Sequence, residues 1–189
     1  MAKGLPLVLA VLDGWGYREN ELHNAILAAH TPQWNHWWQT QPHMLLEASG
    51  PAVGLPEGQM GNSEVGHTTI GMGQVIEQDL TRLSRLIPHY DWHNIARSAK
   101  RCHILGLFSQ GGVHSHKDHY LMIKNVLEQK GLGVYLHAFA DGRDVPIGSF
   151  QEDLKALNPT TVMGRFYAMD RDKRWERTDK AYAAIAYGQ

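Results

Sequence analysis

The chain offers almost no thiol chemistry. Its 189 residues contain a single cysteine, Cys102, which excludes an internal disulfide and fits a reducing compartment. Arg101 and His103 could lower the pKa of that thiol. The Ile104-Leu105 that follow instead place it in a buried strand, where an inert cysteine is the expectation. Excess charge is also lacking: 18 Lys and Arg face 19 Asp and Glu. A net charge of −1 creates no global field that would gather nucleic acid or an anionic membrane, so attraction for an acidic ligand must come from a local cluster of Arg and His. No apolar run approaches the roughly 20 residues needed to span a bilayer. The one stretch resembling a signal core, Leu5 to Leu12, contains Pro6, lacks a small-residue cleavage site and runs straight into Asp13-Gly14. A cytoplasmic protein with neither nucleic-acid nor membrane partners is therefore expected. There are no internal repeats and no low-complexity tracts, and the hydrophobic content of 43% is ordinary for a soluble globular chain.

What is present reads as α/β. Leu7 to Leu12 is a continuous apolar run ended by Asp13-Gly14, the pattern of a central parallel strand buried on both faces. Asn24 to Trp38 has helical spacing, interrupted at Thr31-Pro32, where a second helix can start; its tryptophans, 34, 37 and 38, suit packing. Met44 to Leu55 reads as a strand followed by a Gly/Pro-rich loop. After Ile76 the texture changes, and Asp79 to Arg101 is helical material rich in Arg and His, so a domain boundary is placed near residue 77. Further strands are expected at Ile104–Phe108, Val134–Phe139 and Thr161–Met163, with helices over Asp118–Gln129 and Phe150–Leu157 between them.

The most informative stretch is Gly58-Gln59-Met60-Gly61-Asn62-Ser63-Glu64-Val65-Gly66-His67. Glycines 58 and 61 permit a sharp turn with close backbone approach, and Asn62-Ser63-Glu64 reads as a helix N-terminus, whose free N–H groups suit an anion such as phosphate. Ser63 is the candidate nucleophile; the plainer alternative is a serine that caps the helix.

Other acids and bases stand at expected strand ends. Asp13 is a candidate ligand or catalyst at the carboxyl end of the first strand, or simply a turn residue. In Asp141-Gly142-Arg143-Asp144, Arg143 suits a carboxylate or phosphate and Asp144 could accept a hydroxyl proton; an Asp-Gly turn with a solvated ion pair is the alternative. Gly164 to Arg177 concentrates guanidinium groups beside aromatics. That fits a solvated charged helix, although Arg165 leaves a strand and would point into the same crevice as Arg143. His114-Ser115-His116-Lys117-Asp118-His119 fits the HxHxDH template of the metallo-β-lactamase superfamily and follows an apolar strand, which makes a zinc hydrolase a rival reading. Its structural alternative has Asp118 capping the following helix.

Taken together, Val11 to Gly16, Gly58 to His67, Gly111 to His116, His137 to Asp144 and Gly164 to Arg177 resemble one family, the 2,3-bisphosphoglycerate-independent phosphoglycerate mutases of the alkaline phosphatase superfamily. The motifs occur in the family's order and span the chain. The resemblance implies an enzyme, a glycolytic isomerase interconverting 3-phosphoglycerate and 2-phosphoglycerate through a metal-bound phosphoserine. It implies two divalent metal ions, manganese by preference, no 2,3-bisphosphoglycerate, and a monomeric intact enzyme whose partner is the small-molecule substrate. Asp13 resembles a metal ligand, Ser63 both metal ligand and phosphoryl acceptor, and His114, Arg143, Asp144, Arg165 and Arg171 resemble substrate-binding positions. The general base is left between Asp144 and His114.

The fold expected from the resemblance is an incomplete alkaline-phosphatase-like parallel-sheet phosphatase domain over residues 1–76, followed by a partial α/β phosphotransferase domain over residues 77–189. Family members continue well beyond the position of Gln189, and the segments Asp79–Gly106 and Asp144–Gly164 read as shorter than usual. The expectation is a chain that carries the N-terminal portion only, lacks most metal ligands and is inactive alone. Its alternative is a non-catalytic remnant or partner-binding module.

Overall fold

A computed structural model of the protein describes residues 6–189. The sheet has three parallel strands in the order β1-β2-β3: β1 (Arg101–Phe108), β2 (Gly133–Ala140) and β3 (Thr161–Gly164). Helix α6 (Lys117–Gln129) connects the first pair and α7 (Phe150–Leu157) the second, as parallel neighbours require a crossover. These elements lie within a residue or three of their expected bounds. Phe108, Tyr120, Leu136, Ala138, Phe150 and Leu157 form the core beneath the crossovers, with Phe108 edge-on to both Tyr120 and Phe150. Cys102 lies in β1, partly buried.

Register fixes what comes next. Phe108 pairs with Ala140 and Ala140 with Gly164, so all three strands stop at one level and their following residues emerge along one edge. That edge is the carboxyl end of a parallel sheet, the place where such sheets present ligand-binding loops.

The first part of the chain is helical and irregular. It holds α1 (Ala25–Ala28), α2 (Pro32–Thr40) with Pro32 in the first turn, a 3-10 turn at Gly50–Val53, and α3 (Ser63–Met72). A small cluster of Val53, Leu55 and Val65 packs against Leu80 of α4 (Asp79–Leu86), and α5 (His93–Ser98) leads into β1. Trp34 and Trp38 pack with Trp15, Tyr17 and His43, whereas Trp37 is half exposed.

Two expected strands are absent. Leu7 to Leu12 and Met44 to Leu46 run without regular structure, and Leu7 and Leu46 are 94% and 80% exposed. An apolar run becomes a strand only where a neighbour supplies hydrogen bonds, and every described pairing is among β1, β2 and β3. No described helix is long and apolar enough to cross a membrane.

Two more helices follow the sheet, α8 (Arg165–Ala168) and α9 (Trp175–Tyr187).

Candidate functional site

The site is built where the strands end. Asp141, the first residue after β2, is buried to 1% side-chain exposure. Its Oδ1 accepts hydrogen bonds from the backbone N–H groups of Gly142, Arg143 and Asp144 at 2.8, 3.0 and 3.2 Å. Burial alone would raise this carboxyl's pKa. The Arg143 N–H, Ser109 and Arg165 bonds outweigh it and hold Asp141 well below the usual carboxylate range. Arg165, the first residue after β3, donates to Asp141 Oδ1 at 3.0 Å and also to Asp144 Oδ2. From the loop after β1, His114 Nε2 comes within 3.9 Å of Asp144 Oδ2.

These groups line one cleft of about 890 Å³, which also contains Arg143 and Arg171. Its far wall is a second ion-paired unit. Arg177 donates to Asp170 at 2.9 Å and Asp172 at 3.1 Å and lies 4.1 Å from the centre of the Phe166 ring. Asp170 Oδ2 accepts from the Arg174 N–H, fixing the turn that carries Arg171. Arg165 and Arg177 are thus matched by their own carboxylates, whereas Arg143 and Arg171 have no side-chain ion pair among the described residues. All five expected substrate positions, His114, Arg143, Asp144, Arg165 and Arg171, meet here.

The serine turn is a second place. Gly58 has φ +75°, and a Cβ on Gly61 would stand 1.8 Å from the Ala48 carbonyl oxygen, so each glycine has one of the two roles expected. The helix cap is Asn62, whose Oδ1 accepts from Val65 N–H at 3.1 Å. Ser63 is therefore the first helical residue, and its hydroxyl is released from capping. It donates to Asp13 Oδ2 at 2.8 Å. His67 Nδ1 lies 2.8 Å from the Ser63 carbonyl, which can only accept, so that nitrogen carries a hydrogen and the serine hydroxyl's own hydrogen goes to Asp13. Asp13 sits in a turn as its plainer reading required, and the same turn delivers it to Ser63.

The two places adjoin. Gln59 donates its side-chain amide to the Gly111 carbonyl, and Asn62 and Glu64 line a cleft with Gly112, Val113 and His114.

The HxHxDH run disperses. His116 is the N-cap of α6, accepting from the Asp118 N–H, which corrects the expectation that Asp118 is the cap. His119 is buried against Ser84 Oγ at 2.8 Å, and His114 faces Asp144. Among the described residues no three His, Cys, Asp or Glu side chains form a metal-holding group. The same test bears on Asp13 and Ser63: two hard oxygen donors suit a divalent cation in kind but are too few in number to hold a pair of ions.

Ser109, Asp170, Arg177 and Gln59 were not singled out by sequence reasoning. Ser109 and Gln59 act through partners 32 and 52 residues away, whereas Asp170 and Arg177 bond within the Arg-rich run itself, where their charges were the available signal.

The fold and cleft define an α/β protein with an arginine-lined cleft at the carboxyl ends of a parallel sheet. More narrowly, the family model described as the BPG-independent PGAM N-terminus matches residues 89–189, more than half of the chain, and the chain belongs to that family. It is 48% identical over 210 residues to a Legionella pneumophila (strain Corby) protein named 2,3-bisphosphoglycerate-independent phosphoglycerate mutase, covering 100% of this chain and 41% of the relative. Identically named proteins of Idiomarina loihiensis and Yersinia pestis (strain Pestoides F) are 47% and 46% identical, covering 97% and 94% of this chain and 40% and 38% of theirs. The chain thus spans about two fifths of the length of these curated relatives.

Proposed function

We propose that this chain is the serine-bearing and substrate-facing portion of a cofactor-independent phosphoglycerate mutase, acting on 3-phosphoglycerate and 2-phosphoglycerate in glycolysis. What carries the reading is the convergence of His114, Arg143, Asp144, Arg165 and Arg171 on one cleft beside the serine turn. Residues 1–76 belong to the phosphoserine half and residues 77–189 to the substrate half, in a monomeric cytoplasmic enzyme.

Arg143 and Arg171, the two arginines of the cleft without a carboxylate partner among the described residues, hold the glycerate carboxylate. Arg165 orients Asp144 through its hydrogen bond, and Asp144 and His114 accept and return the hydroxyl protons. Ser63 Oγ takes the phosphoryl group from one glycerate oxygen and returns it to the other while the cleft retains the glycerate. Asp13 and Ser63 would be the chain's donors to the divalent ions, manganese by preference, which when bound stabilise the serine oxygen as a nucleophile and offset phosphate charge.

Calorimetric titration of 3-phosphoglycerate into the chain tests this. Saturable binding that Arg171→Ala abolishes is expected, together with no turnover by the 189 residues alone in manganese. Absence of binding, or equal binding by Arg171→Ala, would refute the reading. The sparse metal donor set favours one second reading, a binding module without catalysis. It requires that no longer form of the protein produce 2-phosphoglycerate.

A further inference from the structure

Ser109, the first residue after β1, is 3% exposed and points sideways along the strand ends. It donates to Asp141 Oδ2 at 2.7 Å, and its oxygen accepts from the Gly111 N–H at 3.0 Å. Asp141 in turn spends its other oxygen on the three N–H groups of the Gly142–Asp144 turn and on Arg165. One buried hydroxyl and one buried carboxylate therefore tie together the segments that follow all three strands.

We propose that Ser109 and Asp141 act as a pair of positioning residues, a buried strut that sets Arg165 and the Arg143-Asp144 turn in ligand-ready geometry before any ligand enters. The inference rests on the substrate reading given above and deepens it, since neither residue is offered as touching the ligand. The physical reason is specific. A guanidinium with only Asp144 to hold it could rotate about that single contact, whereas a second carboxylate oxygen fixes the plane of the fork. Asp141 cannot rotate either, because its two oxygens are committed to different partners: Oδ1 to the turn and Arg165, Oδ2 to Ser109. The hydroxyl is what makes the carboxylate's orientation unique. An isolated Asp-Gly turn would use Oδ1 alone and leave Oδ2 to water.

The test uses the full chain labelled with nitrogen-15 arginine, the Arg165 guanidinium signal being assigned with Arg165→Lys. A restrained, slowly exchanging Arg165 signal is expected in the parent and its collapse to the solvent-averaged position in Asp141→Asn, with the circular dichroism of the sheet unchanged. Asn keeps an oxygen for the three turn N–H groups and removes the charge. Should Asp141→Asn fail to fold, Ser109→Ala leaves the carboxylate in place and reports the same signal. An Arg165 signal unaltered in a folded variant overturns the strut. In the second arm, 3-phosphoglycerate affinity should fall at least tenfold in Ser109→Ala; unchanged affinity in that variant also overturns it. A parent that binds no 3-phosphoglycerate while its Arg165 signal collapses on Asp141→Asn would refute the substrate reading and leave the strut standing.

Discussion

Ser63 Oγ donates a 2.8 Å hydrogen bond to Asp13 Oδ2 across fifty residues of chain, and the neighbouring Asn62 does the capping that would otherwise occupy that hydroxyl. The helix cap and the candidate nucleophile thereby fall on adjacent residues. In any preparation that interconverts 3-phosphoglycerate and 2-phosphoglycerate, Ser63→Ala should bring turnover below detection and leave the unfolding midpoint in place. Asn62→Ala should cost about 1 kcal/mol of stability. Product assays and urea unfolding of both variants decide it; an active Ser63→Ala enzyme would eliminate the phosphoserine route.

Arg165 is 15% exposed between Asp141 and Asp144, whereas Arg174 is 61% exposed beside Glu176. Removing the first takes the guanidinium from two largely buried carboxylates and leaves Asp141 with neutral donors alone. Arg165→Ala should therefore destabilise by about 3 kcal/mol, and Arg174→Ala should leave the midpoint unchanged, because an exposed pair gains little from its attraction in water. Equal midpoints for the two variants would contradict the assignment.

The two glycines of the serine turn should differ in kind. Gly58→Ala meets open space and suffers only its left-handed backbone, a cost of about 1 kcal/mol. Gly61→Ala collides with the Ala48 backbone, so the turn itself must move. The expected result is a larger loss of stability in Gly61→Ala, read by urea unfolding. A mild Gly61→Ala would show that the close approach is not needed.

Acid should weaken the fold in two stages. Burial disfavours the cationic forms of His137 and His119. Repulsion from His103 and His116 respectively adds to this, so both lie below the ordinary imidazole value. Unfolded imidazoles take up protons near pH 6.5. Below that point the unfolded chain binds more protons than the native one, and stability falls as pH falls. Asp141, held below its ordinary range, contributes stability that is present above about pH 4 and lost further down. Urea midpoints should decline between about pH 8 and pH 5, with a shallower slope in His137→Asn. A flat profile would contradict the buried-neutral assignment.

Much of the second part of the chain was legible from periodicity. Val134 to Phe139 and Phe150 to Leu157 carry patterns that local structure and burial both satisfy, so β2 and α7 fall almost where expected. Leu7 to Leu12 carried the same kind of pattern and forms no strand, because a strand depends on a neighbour's hydrogen bonds as well as its own apolarity. The candidate site divides similarly. Arg143, Asp144 and Arg165 were readable as charges placed at strand ends. Ser109 was not, since a serine at the end of an apolar strand looks like any other until Asp141 arrives from thirty-two residues away.

Every residue lining the arginine-rich cleft lies between His114 and Arg177. The lining is therefore contained in one contiguous stretch of polypeptide, so a recombination or fusion junction on either side of that interval would transmit it whole. A cleft lining of this kind can be inherited, or transplanted, as a single word.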